Sequence, residues 1–305
     1  MYRRILVGYD GHEPGRDALA LAAALRAADG VVIAACVYPG SGHVGSEAVE
    51  TLLADAAFQT VAEAHAQADG GDWLELRAVP GHSPAHGLHV FSEEVEADLV
   101  VVGSSDRDQH GRVHAGSTGE RLLNGSPCPV AIAPTGFAAQ AGSPRVIGVA
   151  YDGSEGSETA LREAGALAAE FQASLKLITV VPPIELYWSA EAFAGTIASG
   201  DTIREQRRNG FRHMLEEAAE RLPAVARAAT VLQDGRPATV IAEEAEKGIH
   251  LLVMGSRSYG PIRRVMVGST AIELLRLAPC PVLVIPRGAA APSAEAAEAG
   301  AATSA

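Results

Sequence analysis

Apolar and polar segments alternate along this chain in a regular order of short and long runs. In the C-terminal part, short runs rich in Val, Ile and Leu predict five strands, and the longer segments between them have helical spacing. The predicted strands lie at 146–151, 174–180, 228–233, 250–254 and 282–286, and the helical segments at 160–169, 203–222 and 238–247. Strands that alternate with helices predict a parallel sheet covered by helices on both faces.

The N-terminal part repeats this pattern together with its motifs. Ile-Leu-Val-Gly-Tyr-Asp-Gly at 5–11 recurs 142 positions later as Ile-Gly-Val-Ala-Tyr-Asp-Gly at 147–153. Three further motifs recur at a distance of 152: an apolar run ending in Gly-Ser at 99–104 and 251–256, Gly-Ser-Thr at 116–118 and 268–270, and Pro-Cys-Pro-Val at 127–130 and 279–282. Self-similarity of this kind indicates a duplicated domain.

The repeat predicts the division of the 305 residues into two tandem domains. These are residues 1–134 and 145–287, joined by a linker at 135–144 that is rich in Gly, Ala and Ser. Residues 288–305 contain no large apolar side chain and are expected to form a disordered tail.

An insertion of ten residues is predicted within 182–200, because the distance between matching motifs grows from 142 to 152. The segment holds an aromatic cluster of Tyr187, Trp188 and Phe193. A lid over the second ligand crevice, a subunit contact, and packing against its own domain all remain open for this cluster.

Charge and hydropathy exclude several classes of partner. The formal net charge is −13, so most of the surface repels a nucleic-acid backbone and no nucleic-acid partner is expected. No apolar run reaches the length of a membrane span, and the N-terminus enters a strand without the features of a signal peptide. We therefore expect a soluble cytoplasmic protein with no membrane partner.

The three cysteines are too few and too widely spaced for a disulfide framework or a zinc site. Cys128 and Cys280 each stand between two prolines. We interpret them as small buried apolar residues rather than nucleophiles.

Three histidines, His82, His86 and His89, lie close together in the sequence. Pro84 and Gly87 are expected to interrupt a helix here, and no carboxylate stands at ligand spacing. The interpretation is surface or loop histidines rather than metal ligands.

The most repeated motifs follow the first and fourth strands of each half. In an open parallel sheet, a ligand crevice lies at the carboxyl ends of the strands where the winding reverses, which is between strands 1 and 4 if strand 1 is central. In the second half these ends carry Tyr-Asp-Gly-Ser at 151–154 and Gly-Ser-Arg-Ser at 255–258. The candidate crevice residues are therefore Asp152, Gly255, Ser256 and Ser258.

Gly268, Ser269 and Thr270 precede the next helix of the second half. The unpaired N–H groups of a helix N-terminus, together with two hydroxyls, suit a phosphate. Alternatively, Ser269 merely caps the helix and Gly268 ends a loop. The repetition of the pattern in both halves favours a binding site.

The pattern differs from the phosphate loops of common enzymes. Neither G-x-x-x-x-G-K-[ST] nor G-x-G-x-x-G occurs at these loops, and the only lysines, Lys176 and Lys247, lie outside them. A P-loop mechanism is therefore excluded.

Together these residues resemble the universal stress protein family, whose signature is G-x2-G-x9-G-[ST], commonly followed by Pro-Cys-Pro-Val. The resemblance covers nearly all of residues 1–287 as two tandem copies. It implies two α/β, Rossmann-like domains of the adenine nucleotide alpha hydrolase-like type, each with a five-stranded parallel sheet of order 3-2-1-4-5. It also implies ATP or another adenine nucleotide, with or without Mg²⁺, at the strand 1/strand 4 crevice.

The resemblance further implies roles for individual residues. Asp152 should lie near the ribose or a metal ion, and Val180 should border the adenine. Gly255, Gly268, Ser269 and Thr270 should surround the phosphates. The matching positions of the first half are Asp10, Val37, Gly103, Gly116, Ser117 and Thr118.

Both copies depart from the signature at its second glycine, where Ser258 stands in the second half and Asp106 in the first. A carboxylate at Asp106 would repel phosphate oxygens by ~1 kcal/mol at 4 Å in water and ~4 kcal/mol at an effective dielectric constant of 20. We therefore predict that the second half binds the nucleotide and that the first binds it weakly or not at all.

Arginines distinguish the same two loops. Arg257, Arg263 and Arg264 give the second loop more positive charge than Arg107 and Arg112 give the first. Contact with a phosphate and plain exposure to solvent are equally open for them.

The last strands, at 130–133 and 282–285, are apolar and expected at sheet edges. The resemblance implies that such edges pair across a dimer, and here the two copies are placed to pair within one chain as an internal pseudo-dimer. A homodimer of chains stays open.

The predicted function is an ATP-binding regulatory or sensor module in a stress response. The alternatives are a slow ATPase that uses Asp152 with Mg²⁺ and a nucleotide-free interaction scaffold. No general base, catalytic lysine or nucleophile accompanies the loops in the sequence, so at most weak ATP hydrolysis is expected.

Overall fold

The computed structural model describes residues 1–40, 46–68, 71–105, 111–183, 200–222, 228–256 and 268–286. The first half contains β1 (Tyr2–Gly8), α1 (Glu13–Leu25), β2 (Arg26–Tyr38), α2 (Glu47–Gln67), β3 (Leu74–Pro80), α3 (Pro84–Glu94), β4 (Leu99–Gly103), α4 (Gly116–Leu123) and β5 (Val130–Ala133). The second half contains β6 (Val146–Ala150), α5 (Glu155–Phe171), β7 (Ser174–Val181), α6 (Gly200–Glu220), β8 (Ala228–Asp234), α7 (Pro237–Ala245), β9 (Leu251–Gly255), α8 (Ser269–Leu277) and β10 (Val282–Ile285).

The predicted strand order is confirmed in both halves. All ten strands form one sheet of order β3-β2-β1-β4-β5-β10-β9-β6-β7-β8, so each half has the order 3-2-1-4-5. Neighbouring strands within each half are parallel. The five strands predicted for the second half agree with the structure to within one residue at each end. The predicted tail and most of the 182–200 insertion lie outside the described residues.

The two halves meet along β5 and β10. These strands pair antiparallel, with Val282 opposite Ile132, Leu283 opposite Ala131 and Val284 opposite Val130. Both strands are fully buried. The apolar last strand of each half therefore satisfies its backbone groups against the other half.

Apolar side chains cover both faces of the sheet, as expected for parallel strands. In β1, Ile5 and Val7 pack in the core beneath α1, α2, α5 and α6, whereas Leu6 packs in the core beneath α3, α4, α7 and α8. Each of these two cores continues across both halves. Among the described helices, none combines the length and the apolarity that crossing a bilayer requires.

The segment that connects the halves is anchored to the first half. Residues Phe137–Gln140 form one turn of 3-10 helix. The fully buried carboxylate of Asp17, in α1, accepts hydrogen bonds from the backbone N–H groups of Gly136 (2.8 Å) and Ala138 (2.7 Å). The sequence predicted a linker here without this contact, because Asp17 lies far away along the chain.

A close backbone approach requires glycine at the carboxyl ends of β4 and β9. A Cβ atom on Gly255 would lie 2.1 Å from the carbonyl oxygen of Gly156, in the first turn of α5. On Gly103 it would lie 2.0 Å from the carbonyl oxygen of Pro14, in the first turn of α1. These glycines therefore allow a helix N-terminus to pack against the neighbouring strand at the rim of each crevice.

Replacing Gly255 by Ala should destabilise the second half by about 3 kcal/mol, because the new methyl group meets backbone rather than a movable side chain. Urea unfolding of the full chain measures the loss. Gly210→Ala is the control, since nothing lies within 4 Å of its Cβ position on α6. That control should stabilise the protein by about 0.5–1 kcal/mol. Equal midpoints for the Gly255→Ala variant and the wild type would contradict the account.

Candidate functional site

A cavity opens at the carboxyl ends of β6 and β9, where the winding of the second half reverses. We call it the second cavity; its volume is about 200 Å³. Six of the predicted site residues line it: Asp152, Val180, Gly255, Ser256, Gly268 and Thr270. Ser269 is not among its lining residues, and Ser258 lies outside the described part of the chain.

Asp152 stabilises the turn that follows β6 and lines this cavity. Its Oδ1 accepts a hydrogen bond from the backbone N–H of Ser154 (3.0 Å), and the intervening Gly153 has φ of +76°. Glycine suits that left-handed conformation best. Asp10 makes the same turn in the first half, with His12 N–H as the donor (3.0 Å). The repeated Asp-Gly pair is thus a structural turn that leaves the second carboxylate oxygen available to a ligand.

Apolar side chains form the opposite wall of the second cavity. They come from β7, α6, α7 and β9: Ile178, Val180, Phe211, Ile241 and Met254. Ile178 and Val180 stand two positions apart on β7 and so share one face of the strand. Such a wall fits the flat, weakly polar faces of a heteroaromatic ring.

Tyr151 immediately precedes this turn and is buried, and its hydroxyl belongs to a polar cluster. Its hydroxyl donates to Glu158 and accepts from Arg221 (3.1 Å), and Arg221 also pairs with Glu158 (2.7 Å). Burial, followed by the neighbouring Glu158, raises the pKa of Tyr151 to about 12. Tyr151 is therefore a neutral structural residue and not an acid or base at neutral pH.

The N-terminus of α8 reaches the rim of the second cavity without a side-chain cap. Gly268 occupies the N-cap position, and Ser269 is the first helical residue. This overturns the alternative in which Ser269 caps the helix. Ala271 N already donates to Gly268 O (2.9 Å). Helix geometry gives the N–H groups of Ser269 and Thr270 no partner within the helix, and they carry a partial positive charge suited to an anion.

Equivalent serines in the two halves differ in their hydrogen bonds. Ser104 Oγ donates to Ala133 O (2.7 Å) and accepts from His114 N (3.0 Å). Ser256 Oγ is buried in the wall of the second cavity and has no hydrogen-bond partner among the described residues. An unpaired buried hydroxyl is unfavourable, and a polar ligand that reached it would relieve that cost.

A corresponding first cavity lies at the carboxyl ends of β1 and β4. All six predicted residues of the first half line it: Asp10, Val37, Gly103, Gly116, Ser117 and Thr118. Its volume, about 320 Å³, exceeds that of the second cavity, so size does not favour the second half. Asp106, on which the predicted difference depends, lies outside the described residues, as do Arg107, Arg257, Arg263 and Arg264.

Arg112 does not serve the first cavity in the way its sequence position suggested. Its guanidinium donates to Leu277 O and to Glu246, both at 3.2 Å, and these residues belong to the second half. The expectation that Arg112 adds charge to the first loop is therefore wrong. The segment before α4 lies against the C-terminal end of α8, where Val113 N also donates to Ala278 O (2.8 Å), and this brings Arg112 to the second half.

A second contact that the sequence did not predict closes the loop after β4. Ser105 Oγ lies 3.0 Å from His114 Nδ1, and Ser105 N donates to His114 O (3.0 Å). Nine positions separate the two residues. The sequence carries no signal for the pair, because only the path of the loop brings them together.

The histidine segment differs from its prediction. Pro84 occupies the first turn of α3 and Gly87 lies within that helix, so neither residue interrupts it. The rings of His82 and His86 lie edge to face, with centroids 5.1 Å apart. In the described part of the chain, no group of three or more His, Cys, Asp or Glu residues is placed to hold a metal ion.

Most of the residues that sequence reasoning missed are apolar. Phe211 and Ile241 reach the second cavity from helices that are distant in sequence. Met254 immediately precedes the predicted Gly255 on the same strand. That neighbourhood was the one signal in the sequence by which an apolar residue of the wall could have been found. The polar motifs of the sequence predicted where the site lies, whereas the residues of its apolar wall could be identified only from the fold.

Comparison with known proteins identifies what the chain resembles. A model of the universal stress protein family matches residues 1–134 and 144–286. A universal stress protein of Mycobacterium tuberculosis is 30% identical over 214 residues, which cover 67% of this chain and 71% of that protein.

The fold is shared with a solved structure. The crystal structure of a universal stress protein from Archaeoglobus fulgidus covers 93% of this chain and 98% of its own, with a TM-score of 0.67 and 20% identity. A universal stress protein solved in complex with cAMP covers 44% of this chain and 98% of its own at 26% identity, with a TM-score of 0.34. The cAMP is a property of that protein.

The two serines should respond oppositely to truncation. Ser104→Ala removes a paired hydroxyl and should cost about 1–2 kcal/mol. Ser256→Ala removes an unpaired one and should leave the stability of the free protein unchanged or raise it. Thermal unfolding without added nucleotide compares them. A loss for Ser256→Ala as large as that for Ser104→Ala would show that Ser256 is paired.

The prediction that Cys128 and Cys280 are small buried residues is confirmed, since burial raises the pKa of each thiol to about 12. At pH 8 only about one thiol in 10,000 with such a pKa is ionised. With dithiobis(nitrobenzoate), the half-buried Cys36 should react first, and the other two only on unfolding. Reaction of all three thiols at one rate in the native protein would contradict this.

Proposed function

Because this chain belongs to the universal stress protein family, we propose that it is an adenine-nucleotide-binding regulatory or sensor module in a stress response. ATP or another adenine nucleotide occupies the second cavity in preference to the first. The observation that carries this proposal is the buried, unpaired Ser256 hydroxyl at that cavity, beside an uncapped helix N-terminus.

The residues of the second cavity divide into three groups that match the parts of a nucleotide. The apolar wall of Ile178, Val180, Phe211, Ile241 and Met254 contacts the adenine. Asp152 accepts the ribose hydroxyls through the oxygen that the turn leaves available. Gly268, Ser269 and Thr270 direct backbone N–H groups and hydroxyls at the phosphates, and Ser256 donates from the strand side.

Mg²⁺ is compatible with this arrangement through Asp152. Nucleotide-bound Mg²⁺ typically takes one or two protein carboxylates and fills its remaining positions with phosphate oxygens and water. When bound, the ion would neutralise phosphate charge. Asp152 is the one carboxylate among the described lining residues of the second cavity, which suits that chemistry, and the bound ion would offset the repulsion between Asp152 and phosphate.

The difference between the halves rests on two pairs of equivalent positions. Ser104 already uses its hydroxyl within the protein, whereas the Ser256 hydroxyl has no partner among the described residues. Asp106 adds a carboxylate to the first loop, and the second half has Ser258 there. Both differences favour the second half, and they outweigh the larger volume of the first cavity because phosphate binding depends on donors and charge.

We also propose that the two halves, residues 1–134 and 145–287, act as an intrachain pseudo-dimer. The antiparallel pairing of β5 with β10 supports this. That pairing covers the apolar edge that each half would otherwise expose, so a homodimer of chains would need a different surface.

The test is to denature the purified full-length protein and identify and count the released nucleotide by mass spectrometry, with a parallel sample that received Mg-ATP. About one adenine nucleotide per chain is expected. Two per chain would contradict the asymmetry. None in either sample would favour a nucleotide-free scaffold, and recovery of ADP from added ATP would favour slow hydrolysis.

Calorimetric titration with Mg-ATP locates the site. Ser256→Ala should weaken binding about tenfold, since a hydrogen bond to a charged group is worth about 1.5–3 kcal/mol. Ser104→Ala is the matched control and should bind like the wild type. Equal weakening by both variants would mean that the effect is not local to the second cavity.

A further inference from the structure

A third cavity lies at the junction of the two halves, apart from the first and second cavities. We call it the junction cavity; its volume is about 420 Å³. One wall comes from the connecting segment, including Thr135, Phe137 and Ser143, and the other from the starts of the second-half strands, including Arg145 and His250. Its described lining residues are all different from those of the first and second cavities.

Two polar side-chain atoms of residues lining this cavity are buried and have no hydrogen-bond partner among the described residues. Thr135 is 7% exposed, and its Oγ1 has no hydrogen-bond partner among the described residues. The same is true of His250 Nδ1 on the opposite wall. Buried polar atoms are nearly always paired, so two unpaired ones in one cavity point to a missing partner. Rotation of the Thr135 side chain turns its hydroxyl toward that partner, and a flip of the His250 ring does the same for an imidazole nitrogen.

The charge of the cavity identifies the partner as an anion. Among the described residues that line it, the ionisable ones are Arg145, His250 and Cys280, and none is a carboxylate. Burial raises the pKa of Cys280 to about 12, so that thiol stays neutral. Arg145 is exposed and makes no ion pair with the described residues. The nearby Asp17 lies behind the wall, with both oxygens held by backbone N–H groups of the connecting segment.

In the first half, the position equivalent to His250 has its polar atoms paired within the protein. Asp98 corresponds to His250, and its carboxylate accepts the N–H groups of Arg3 (2.7 Å) and Arg4 (3.0 Å). The backbone is equivalent, since Asp98 N donates to Arg4 O and His250 N to Val146 O, both at 2.9 Å. The second half has thus replaced a self-satisfied carboxylate by an imidazole with an unpaired nitrogen.

We propose that the junction cavity binds a small organic carboxylate. The carboxylate group pairs with Arg145, His250 and Thr135, and the apolar body lies against Phe137, Pro134 and Pro279. The site stands on its own residues and does not depend on nucleotide binding.

Benzoate is the probe, titrated into full-length protein labelled with ¹⁵N-histidine at constant ionic strength. The imidazole resonances of His250, assigned by their loss in a His250→Asp variant, should shift in a saturable manner. Arg145→Ala should weaken binding about tenfold, as expected for loss of a charge-assisted hydrogen bond. Arg121→Ala, at an exposed arginine outside the cavity, should bind like the wild type.

His250→Asp provides a variant that should fold, because Asp98 occupies the same backbone position in the first half. It should unfold at a similar temperature and lose benzoate binding, since a carboxylate repels the ligand. Absence of a saturable His250 shift, or unchanged affinity in Arg145→Ala, would overturn the proposal. A parallel titration uses inorganic phosphate. If phosphate bound as tightly as benzoate, the proposal that the ligand is an organic carboxylate would be overturned.

Discussion

The continuous backbone ladder of the ten strands is the interaction on which the other features depend. Within each half the parallel strands have their carboxyl ends at one edge, so the ends of β1 and β4 meet at one crevice and those of β6 and β9 at the other. The antiparallel β5–β10 pair joins the ladders and removes two apolar edges. The same pair brings the connecting segment against the starts of β9 and β10, which creates the junction cavity.

Duplication kept the backbone and freed individual side chains to change. The glycines at the ends of β4 and β9 cannot accept a side chain, because a helix N-terminus contacts them directly. Ser104 and Ser256 keep their identity but differ in partners. Asp98 and His250 differ in chemistry at one backbone position. The halves thus share the constraints of packing and diverge where polar groups face a cavity.

Several functional features follow from local sequence and were predictable. Asp152-Gly153 is a turn because an Asp side chain accepts a nearby N–H and Gly tolerates positive φ. A helix start was predicted at Gly268, Ser269 and Thr270. Only the structure decided whether Ser269 caps that helix or leaves its N-terminus without a side-chain cap. Arg112 and the Ser105–His114 pair were beyond prediction, since their partners are set by how a loop crosses to another element.

The sequence by itself determined the two-fold repeat, the alternation of strands with helices and the positions of the glycine-marked loops. These depend on periodicity and on backbone requirements that act over a few residues. Tertiary structure decided which polar atoms stay unpaired, which apolar side chains wall the second cavity, and that Asp17 anchors the connection between the halves. Such contacts join residues far apart along the chain, and their geometry exists only once the helices have packed on the sheet.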